Sequence, residues 1–195
     1  KQLSNQLANL LRSVGVERGD RVAVLLPQTP ETALAHIAAY KLAAIAVPLF
    51  MLFGVEALEY RLNNAGVKAV VTNKEGAARI AEIRDQLHVL ENVFNIDGDL
   101  QAQMAAQSES FEAIETSPDD PAMIIYTSGT TGPPKGALHG HRVLLGHLPG
   151  IQIQHDLFPQ AGDKMWTPAD WAWAGGLLDA HRKIGYTCRE VLTCA

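Results

Sequence analysis

Short apolar runs alternate with amphipathic segments along most of the chain. Leucines recur at helical spacing within residues 3–14, and Gly15 follows where a C-terminal cap is expected. Residues 22–26 form a continuous apolar run, which is typical of a strand buried on both faces of a parallel sheet. An alanine-rich helix is predicted at residues 31–44, followed by a strand at residues 45–47 that we expect Pro48 to end. This order predicts a βαβ unit with short connections.

The alternation continues through the rest of the chain. Further helices are predicted at residues 58–65, 74–87, 142–148 and 171–178, and further strands at 67–72, 93–96, 122–126 and 165–167. We expect Gly66 to cap the first of these helices, and Pro149 with Gly150 to break the third. Residues 101–116 show poor periodicity and are expected on the surface, partly helical. The pattern predicts the α/β class, with a partial doubly wound sheet and helices on both faces.

Composition narrows the classes of function. The 195 residues contain 16 Lys and Arg against 21 Asp and Glu, so the net charge of −5 argues against a nucleic-acid partner. The most apolar stretch, residues 33–53, is interrupted by His36, Lys41 and Pro48, which argues against a membrane span. Cysteines occur only at positions 188 and 194, so we expect a reducing, cytoplasmic location rather than a disulfide-rich secreted domain.

The most informative stretch is residues 126–136, Tyr-Thr-Ser-Gly-Thr-Thr-Gly-Pro-Pro-Lys-Gly, directly after a predicted strand. Its glycines allow backbone N–H groups to approach a ligand, its hydroxyl side chains add donors, and Lys135 adds a compact cation. Such an array suits phosphate oxygens. The predicted phosphate-binding residues are Thr127, Ser128, Gly129, Thr130, Thr131, Gly132, Lys135 and Gly136.

Other loops of known chemistry fail on spacing. A Walker loop needs lysine directly after glycine, whereas Lys135 follows Pro134. The dinucleotide fingerprint G-x-G-x-x-G is absent from this stretch, and a G-x-S-x-G elbow would need glycine in place of Tyr126. An ordinary flexible surface turn remains the alternative, because Gly, Ser, Thr and Pro cluster in such turns.

Residues 126–136 resemble the phosphate-binding signature of the AMP-forming adenylating enzymes, which include acyl-CoA synthetases, luciferases and peptide-synthetase adenylation domains. Residues 19–23, 26–31 and 53–58 resemble the N-terminal subdomain of the same enzymes. Residues 56–62 and the tryptophan-rich residues 166–173 are most similar to short- or medium-chain acyl-CoA synthetases. The resemblance therefore implies a partial AMP-binding domain over residues 1–179, the N-terminal part of an adenylating domain.

The resemblance implies an ATP-dependent acid–thiol ligase. Such an enzyme activates a short- or medium-chain or aromatic carboxylic acid as an acyl-adenylate and transfers it to coenzyme A, as in fatty acid metabolism. The expected co-substrates and metal are ATP, coenzyme A and Mg²⁺. Thr130 and Lys135 would be catalytic, with the Thr130 hydroxyl holding Mg²⁺ and Lys135 pairing with a phosphate oxygen. Trp171 and Trp173 would border the acyl pocket, and the alternative is that both are core aromatics.

Other polar residues receive structural interpretations. His139 and His141 lie two apart, but no third ligand follows at a spacing that zinc sites use. His36 lies within an apolar helix and is expected to be a packed histidine. Asp170 is expected to be a helix N-cap rather than a catalytic acid.

Residues 180–195 are polar, lack a clear pattern and depart from the family sequence, as a frame shift or fusion scar would produce. The family's later acidic Mg²⁺ ligand, its ribose-binding aspartate and its C-terminal domain have no counterpart in these 195 residues. The alternative function is therefore a catalytically inactive fragment, a nucleotide-binding remnant or a regulatory module. Such a fragment would expose large hydrophobic patches.

Overall fold

A computed structural model describes residues 1–127, 132–154, 157, 160, 169–173 and 175–177. Their strands are β1 (Arg21–Leu25), β2 (Ile45–Leu49), β3 (Val67–Thr72), β4 (Asn92–Asn95), β5 (Pro121–Thr127) and β6 (Lys135–Gly140). Their helices are α1 (Gln2–Ser13), α2 (Pro30–Lys41), α3 (Val55–Ala65), α4 (Lys74–Glu82), α5 (Leu100–Ala105), α6 (Val143–Gly146) and α7 (Leu148–Gln154).

The six strands form a single mixed sheet in the order β4-β3-β1-β2-β5-β6. Strands β1 to β5 run parallel to one another. Strand β6 forms a hairpin with β5 and runs antiparallel to it. The helix that joins β1 to β2 and the helix that joins β2 to β3 cover opposite faces of the sheet. This arrangement confirms the predicted α/β class with helices on both faces.

Strand β1 shows why its sequence is apolar at successive positions. Val22 and Val24 pack into a core with α1, α2 and α5, whereas Ala23 and Leu25 pack into a second core with α3 and α4. Successive side chains of a strand point to opposite faces, so a strand covered on both faces needs an uninterrupted apolar run.

The end of α1 is built as predicted. Gly15 has φ +86°, its N–H donates to the carbonyl of Arg12 at 3.0 Å, and the N–H of Val16 donates to the carbonyl of Leu11 at 3.0 Å. This is the hydrogen-bond pattern of a Schellman cap, which favours glycine in the left-handed position. Val16 is buried, so the chain folds back onto the helix after the cap.

Two prolines do not end their elements as predicted. Pro48 lies inside β2. The pairing between β2 and β5 is made at Ala46 and Met123, so the missing N–H of Pro48 does not interrupt that pairing. Pro149 is the second residue of α7, within the first turn, where a helix tolerates proline. The chain breaks instead at His147, between α6 and α7.

Several predicted boundaries also shift. Helix α2 ends at Lys41, because Ala43 adopts φ +54° in the turn that leads into β2. Helix α4 ends at Glu82 and is followed by a separate helical turn at Arg84–Gln86. Residues 171–173 form a turn and residues 175–177 are π-helical, so the predicted helix at 171–178 begins later than expected. The predicted strand at 165–167 and the tail at 180–195 lie outside the described residues.

None of the helices formed by the described residues is both long enough and apolar enough to span a bilayer.

Candidate functional site

The predicted phosphate-binding stretch is the connection of the β5–β6 hairpin. Strand β5 ends at Thr127 and β6 begins at Lys135, so residues 128–134 join them at the carboxyl end of β5. In open α/β sheets, ligands bind outside the carboxyl ends of the parallel strands. Residues 128–131 lie outside the described residues, and the predictions for Ser128, Gly129, Thr130 and Thr131, including the Mg²⁺ ligand, fall on them.

The described part of this connection and the strand ends beside it have defined backbone conformations. Gly132 has φ +85°, a left-handed conformation that favours glycine, and there is open space where its side chain would be. Thr127 is exposed and lies opposite Lys135 in the hairpin. The Thr127 hydroxyl donates to the carbonyl of Lys135 at 3.4 Å, which is long for a hydrogen bond and therefore weak.

Lys135 is the first residue of β6, whereas the sequence pattern placed it in the loop at residues 126–136. Its pairing opposite Thr127 fixes its backbone at the base of the connection. The side chain is exposed, and no carboxylate of the described residues forms an ion pair with it. Lys135 therefore presents an ammonium group that is not neutralised by the described carboxylates, as an anion-binding lysine requires.

Gly136 has a packing reason for being glycine. A Cβ atom at this position would lie 2.7 Å from Cγ2 of Ile124 and 3.4 Å from Cζ of Tyr126. Both neighbours belong to β5, and Tyr126 is the residue directly opposite Gly136. The sequence suggested that this glycine admits a ligand to the backbone, whereas its described surroundings are side chains of the adjacent strand. Its contact with phosphate stays a prediction.

Helix α3 contacts the hairpin on both sides of the connection. The Tyr126 hydroxyl, in a side chain only 8% exposed, donates to Oδ1 of Asn64 at 2.7 Å and to the carbonyl of Arg61 at 3.2 Å. Burial raises the pKa of Tyr126 to about 12. The Tyr60 hydroxyl donates to the carbonyl of Pro134 at 3.0 Å. Sequence reasoning did not identify these contacts.

Arg61 is a buried cation between two aromatic rings. Its guanidinium carbon lies 4.0 Å from the ring centroid of Phe53 and 5.6 Å from that of Tyr126. Nη1 donates to the carbonyl of Ala57 at 2.8 Å, and Nε has no hydrogen-bond partner among the described residues. Burial lowers the pKa of Arg61, and the neighbouring tyrosines oppose that shift. The aromatic faces compensate part of the desolvation of this charge.

The two candidate pocket tryptophans lie in different environments. Trp171 is 5% exposed and belongs to a small core with Met123 and Ile125 of β5 and with Leu177. Trp173 is 51% exposed. Trp171 therefore packs beside the strand that leads into the phosphate-binding connection. The acyl-pocket role of both residues stays a prediction.

Asp170 has the contact of a capping residue. Its carboxylate accepts a hydrogen bond from the N–H of Ala172 at 2.7 Å, as an N-cap side chain does. Burial raises the pKa of Asp170, and the Ala172 hydrogen bond opposes the shift. Ala169 is held close to the carboxyl end of β1. Nε2 of Gln28, in the loop that follows β1, donates to the carbonyl of Ala169 at 3.0 Å. Residues 169–173 therefore lie at the same carboxyl edge of the sheet as the two ends of the hairpin connection.

The histidines have structural surroundings. Nδ1 of His36 lies 3.1 Å from the Tyr40 hydroxyl in the core, which confirms a packed histidine. The ring of His141 meets the Tyr40 ring edge-on, with centroids 5.8 Å apart, and burial lowers the pKa of His141. Among the described residues, no three or more His, Cys, Asp or Glu side chains come together as a metal site.

Comparisons with known proteins identify the family of this chain. The family pattern described as AMP-binding enzyme matches residues 1–181. The chain is 37% identical over 188 residues to an acetyl-coenzyme A synthetase of Bacillus subtilis, covering 91% of this chain and 32% of that protein. It spans about a third of the length of such curated relatives.

Two solved structures share the fold over nearly all of the chain. The anthranilate CoA ligase AuaEII in complex with anthranoyl-AMP superposes with a TM-score of 0.90 at 25% identity, covering 100% of this chain and 37% of that one. An acyl-CoA synthetase of Brucella canis gives a TM-score of 0.84 at 31% identity, covering 98% and 36%.

Proposed function

This chain belongs to the AMP-binding enzyme family, and from that membership we propose that it supplies the ATP phosphate-binding part of an ATP-dependent acid–thiol ligase. The observation that carries the proposal is the β5–β6 hairpin. It places an exposed lysine with no described ion pair, Lys135, beside a glycine- and hydroxyl-rich connection at the carboxyl edge of the sheet. Thr127 precedes the same connection, and Gly132 lies within it.

The proposed reaction has two steps. A carboxylate oxygen of the acid attacks the α-phosphorus of ATP, the bond to the β-phosphate oxygen breaks, and pyrophosphate leaves. The thiol of coenzyme A then attacks the acyl carbon, forming a thioester and releasing AMP. Catalysis of the first step depends chiefly on positioning and on stabilising charge that develops on pyrophosphate. Lys135 and the donors of residues 127–132 are proposed to hold the β- and γ-phosphates.

Mg²⁺ would be held by hard oxygen ligands, and Thr130 is the proposed ligand within this chain. When bound, the ion would supply positive charge to the phosphate oxygens. The chain's own contribution is the array of hydroxyl and N–H donors together with the Lys135 ammonium group.

The proposed acid is short, medium in length or aromatic. The relatives that support this range are named for acetyl and anthranilate substrates. Trp171, buried against β5, and the half-exposed Trp173 are proposed to form an apolar wall for a small acyl or aryl group.

A second candidate is a nucleotide-binding remnant or regulatory module that does not turn over. Its support is the exposed Lys135 beside the hairpin connection, because an exposed ammonium group can bind nucleotide phosphates whether or not they react.

Acid-dependent exchange of labelled pyrophosphate into ATP tests the two candidates. The purified 195-residue chain is assayed with Mg²⁺ and ATP, with acetate or anthranilate added, against a control without acid. Exchange above that control supports the ligase. Binding of ATP without exchange supports the phosphate-binding role and shows that this chain alone does not turn over, as the second candidate holds. Absence of both binding and exchange rejects both.

A further inference from the structure

We propose that helix α3 positions Lys135, the proposed phosphate-binding cation, with the Tyr60 hydroxyl as the group that fixes the residue before it. This inference rests on the proposed function, because it assigns a positioning role to residues that support the same connection. The Tyr60 hydroxyl donates to the carbonyl of Pro134 at 3.0 Å, and Pro134 directly precedes Lys135. One hydrogen bond therefore links a half-buried helix side chain to the residue that presents the proposed phosphate-binding cation.

The incoming side of the connection is held by the same helix. Tyr126, one residue before Thr127, donates its hydroxyl to Oδ1 of Asn64 at 2.7 Å and to the carbonyl of Arg61 at 3.2 Å. Position 64 lies four residues after position 60 and three after position 61, so the three positions lie on one side of α3. That side contacts the hairpin before residue 127 and after residue 133.

The helix is in turn fixed to the rest of the fold. Phe53, in the turn that leads into α3, lies over the guanidinium of Arg61 with 4.0 Å from its ring centroid to the guanidinium carbon. The carbonyls of Met51 and Phe53 both accept hydrogen bonds from Nη1 of Arg79 on α4. The α3 side chains therefore belong to a network that extends from α4 through the β2–α3 turn to the hairpin.

This geometry has a functional consequence. Binding an anion costs less conformational entropy when the backbone that carries the binding lysine is already ordered. Tyr60 is not one of the proposed phosphate-binding residues, and its hydrogen bond to Pro134 acts on the position of Pro134 and Lys135. Losing the hydroxyl removes one ordering hydrogen bond without changing the charge of the site.

The test compares Tyr60→Phe with Tyr40→Phe in the full 195-residue chain. Tyr40 also has a hydrogen-bonded hydroxyl, 3.1 Å from Nδ1 of His36, but it lies on α2 in the other core layer. The measurements are the dissociation constants of Mg²⁺-ATP and of inorganic tripolyphosphate, and the free energy of unfolding in urea. Tyr60→Phe is expected to weaken both ligands by about three- to tenfold, the usual range for one hydrogen bond. Tyr40→Phe is expected to leave both constants unchanged.

A merely structural Tyr60 would lower the free energy of unfolding and leave the affinity of the folded protein unchanged, and that result would overturn the inference. Tyr126→Phe provides a second variant from the incoming side and is expected to weaken the same ligands if Tyr60→Phe does not fold. Lys135→Ala tests the proposed phosphate site separately from the positioning role of Tyr60. If Lys135→Ala weakens binding and both tyrosine variants do not, the positioning role is wrong and the phosphate site stands. If Lys135→Ala has no effect, the proposed site is wrong and the inference falls with it.

Discussion

Replacing Gly136 by alanine is expected to destabilise the hairpin that carries the proposed phosphate site. The added methyl carbon would lie 2.7 Å from Cγ2 of Ile124, a separation that real Cβ atoms essentially never show, and 3.4 Å from Cζ of Tyr126. The backbone of Gly136 is not left-handed, so the conflict is steric rather than conformational. Ile124 is half-buried and Tyr126 is held by two hydrogen bonds, so β6 is expected to shift away from β5.

The magnitude follows from two opposing contributions. Overpacking of this kind typically costs about 1–3 kcal/mol of stability. Replacing glycine within a strand restores about 0.5–1 kcal/mol, because alanine has less backbone entropy to lose on folding. The free energy of unfolding should therefore fall by about 1–2 kcal/mol. Because Lys135 is the preceding residue of β6, the same shift should weaken the binding of Mg²⁺-ATP.

A double variant makes the reasoning refutable. Ile124→Ala removes the Cγ2 atom that conflicts, and the loss from truncating a half-buried isoleucine is about 1–2 kcal/mol, below the range for a fully buried one. Gly136→Ala in that background should cost almost nothing further, so the two changes should couple by about 1 kcal/mol or more. Urea unfolding followed by circular dichroism measures all four proteins. Additive losses, or a Gly136→Ala protein as stable as the parent, would refute the packing explanation.

The double variant also separates packing from ligand access at Gly136. If the glycine serves packing, relief of the clash should restore Mg²⁺-ATP affinity toward that of Ile124→Ala alone. If the glycine is needed so that phosphate can approach the backbone, the double variant should fold but bind as weakly as Gly136→Ala.

Two further predictions concern stability. Gly66→Ala should lower the free energy of unfolding in urea by about 1–2 kcal/mol. Gly66 has φ +61°, and a Cβ atom would lie 2.7 Å from Nη2 of Arg21. Gly150→Ala is the control and should not destabilise the protein, because Gly150 lies in α7 with open space where a Cβ atom would be. Burial raises the pKa of Tyr126 to about 12 from the ordinary tyrosine value of about 10, so the folded state holds this proton more tightly than the unfolded state. The stability it contributes should be complete below pH 10 and lost as the pH rises towards about 12. The decrease should be smaller in Tyr126→Phe, and equal decreases in both proteins would contradict this.

Local sequence signals predicted the parallel part of the sheet well. The continuous apolar run at residues 22–26 predicted a strand covered on both faces, and both cores contain its side chains. Gly15 and Gly66 were placed as helix caps, and both adopt positive φ. These features depend on residues close in sequence, so the pattern alone was sufficient to predict them.

Strand β6 could not be predicted from its own sequence. Residues 135–140, Lys-Gly-Ala-Leu-His-Gly, have two glycines and no apolar alternation, and their strand conformation comes from pairing with β5. Pro48 was expected to end its strand, but proline is tolerated inside β2 because of how the neighbouring strand pairs with it. That pairing cannot be read from residues 45–49 alone.

The sequence motif indicates the candidate site, but it does not indicate the contacts that support it. The composition of residues 126–136 indicated phosphate, and its position after a parallel strand places it at the expected edge of the sheet. The support from Tyr60 joins positions 74 residues apart, and the aromatic contacts of Arg61 depend on how α3 packs on the hairpin. No local pattern specifies such contacts.

The most direct test of the proposed phosphate site is the affinity of the 195-residue chain for Mg²⁺-ATP with Lys135 replaced by alanine. Lys74→Ala is the matched control, because Lys74 is also an exposed lysine just beyond the carboxyl end of a parallel strand, β3. Loss of a charge-assisted contact should weaken binding by about tenfold or more in Lys135→Ala and leave Lys74→Ala close to the parent. Equal affinities of the parent and the Lys135→Ala protein would contradict the assignment of this hairpin to ATP phosphates.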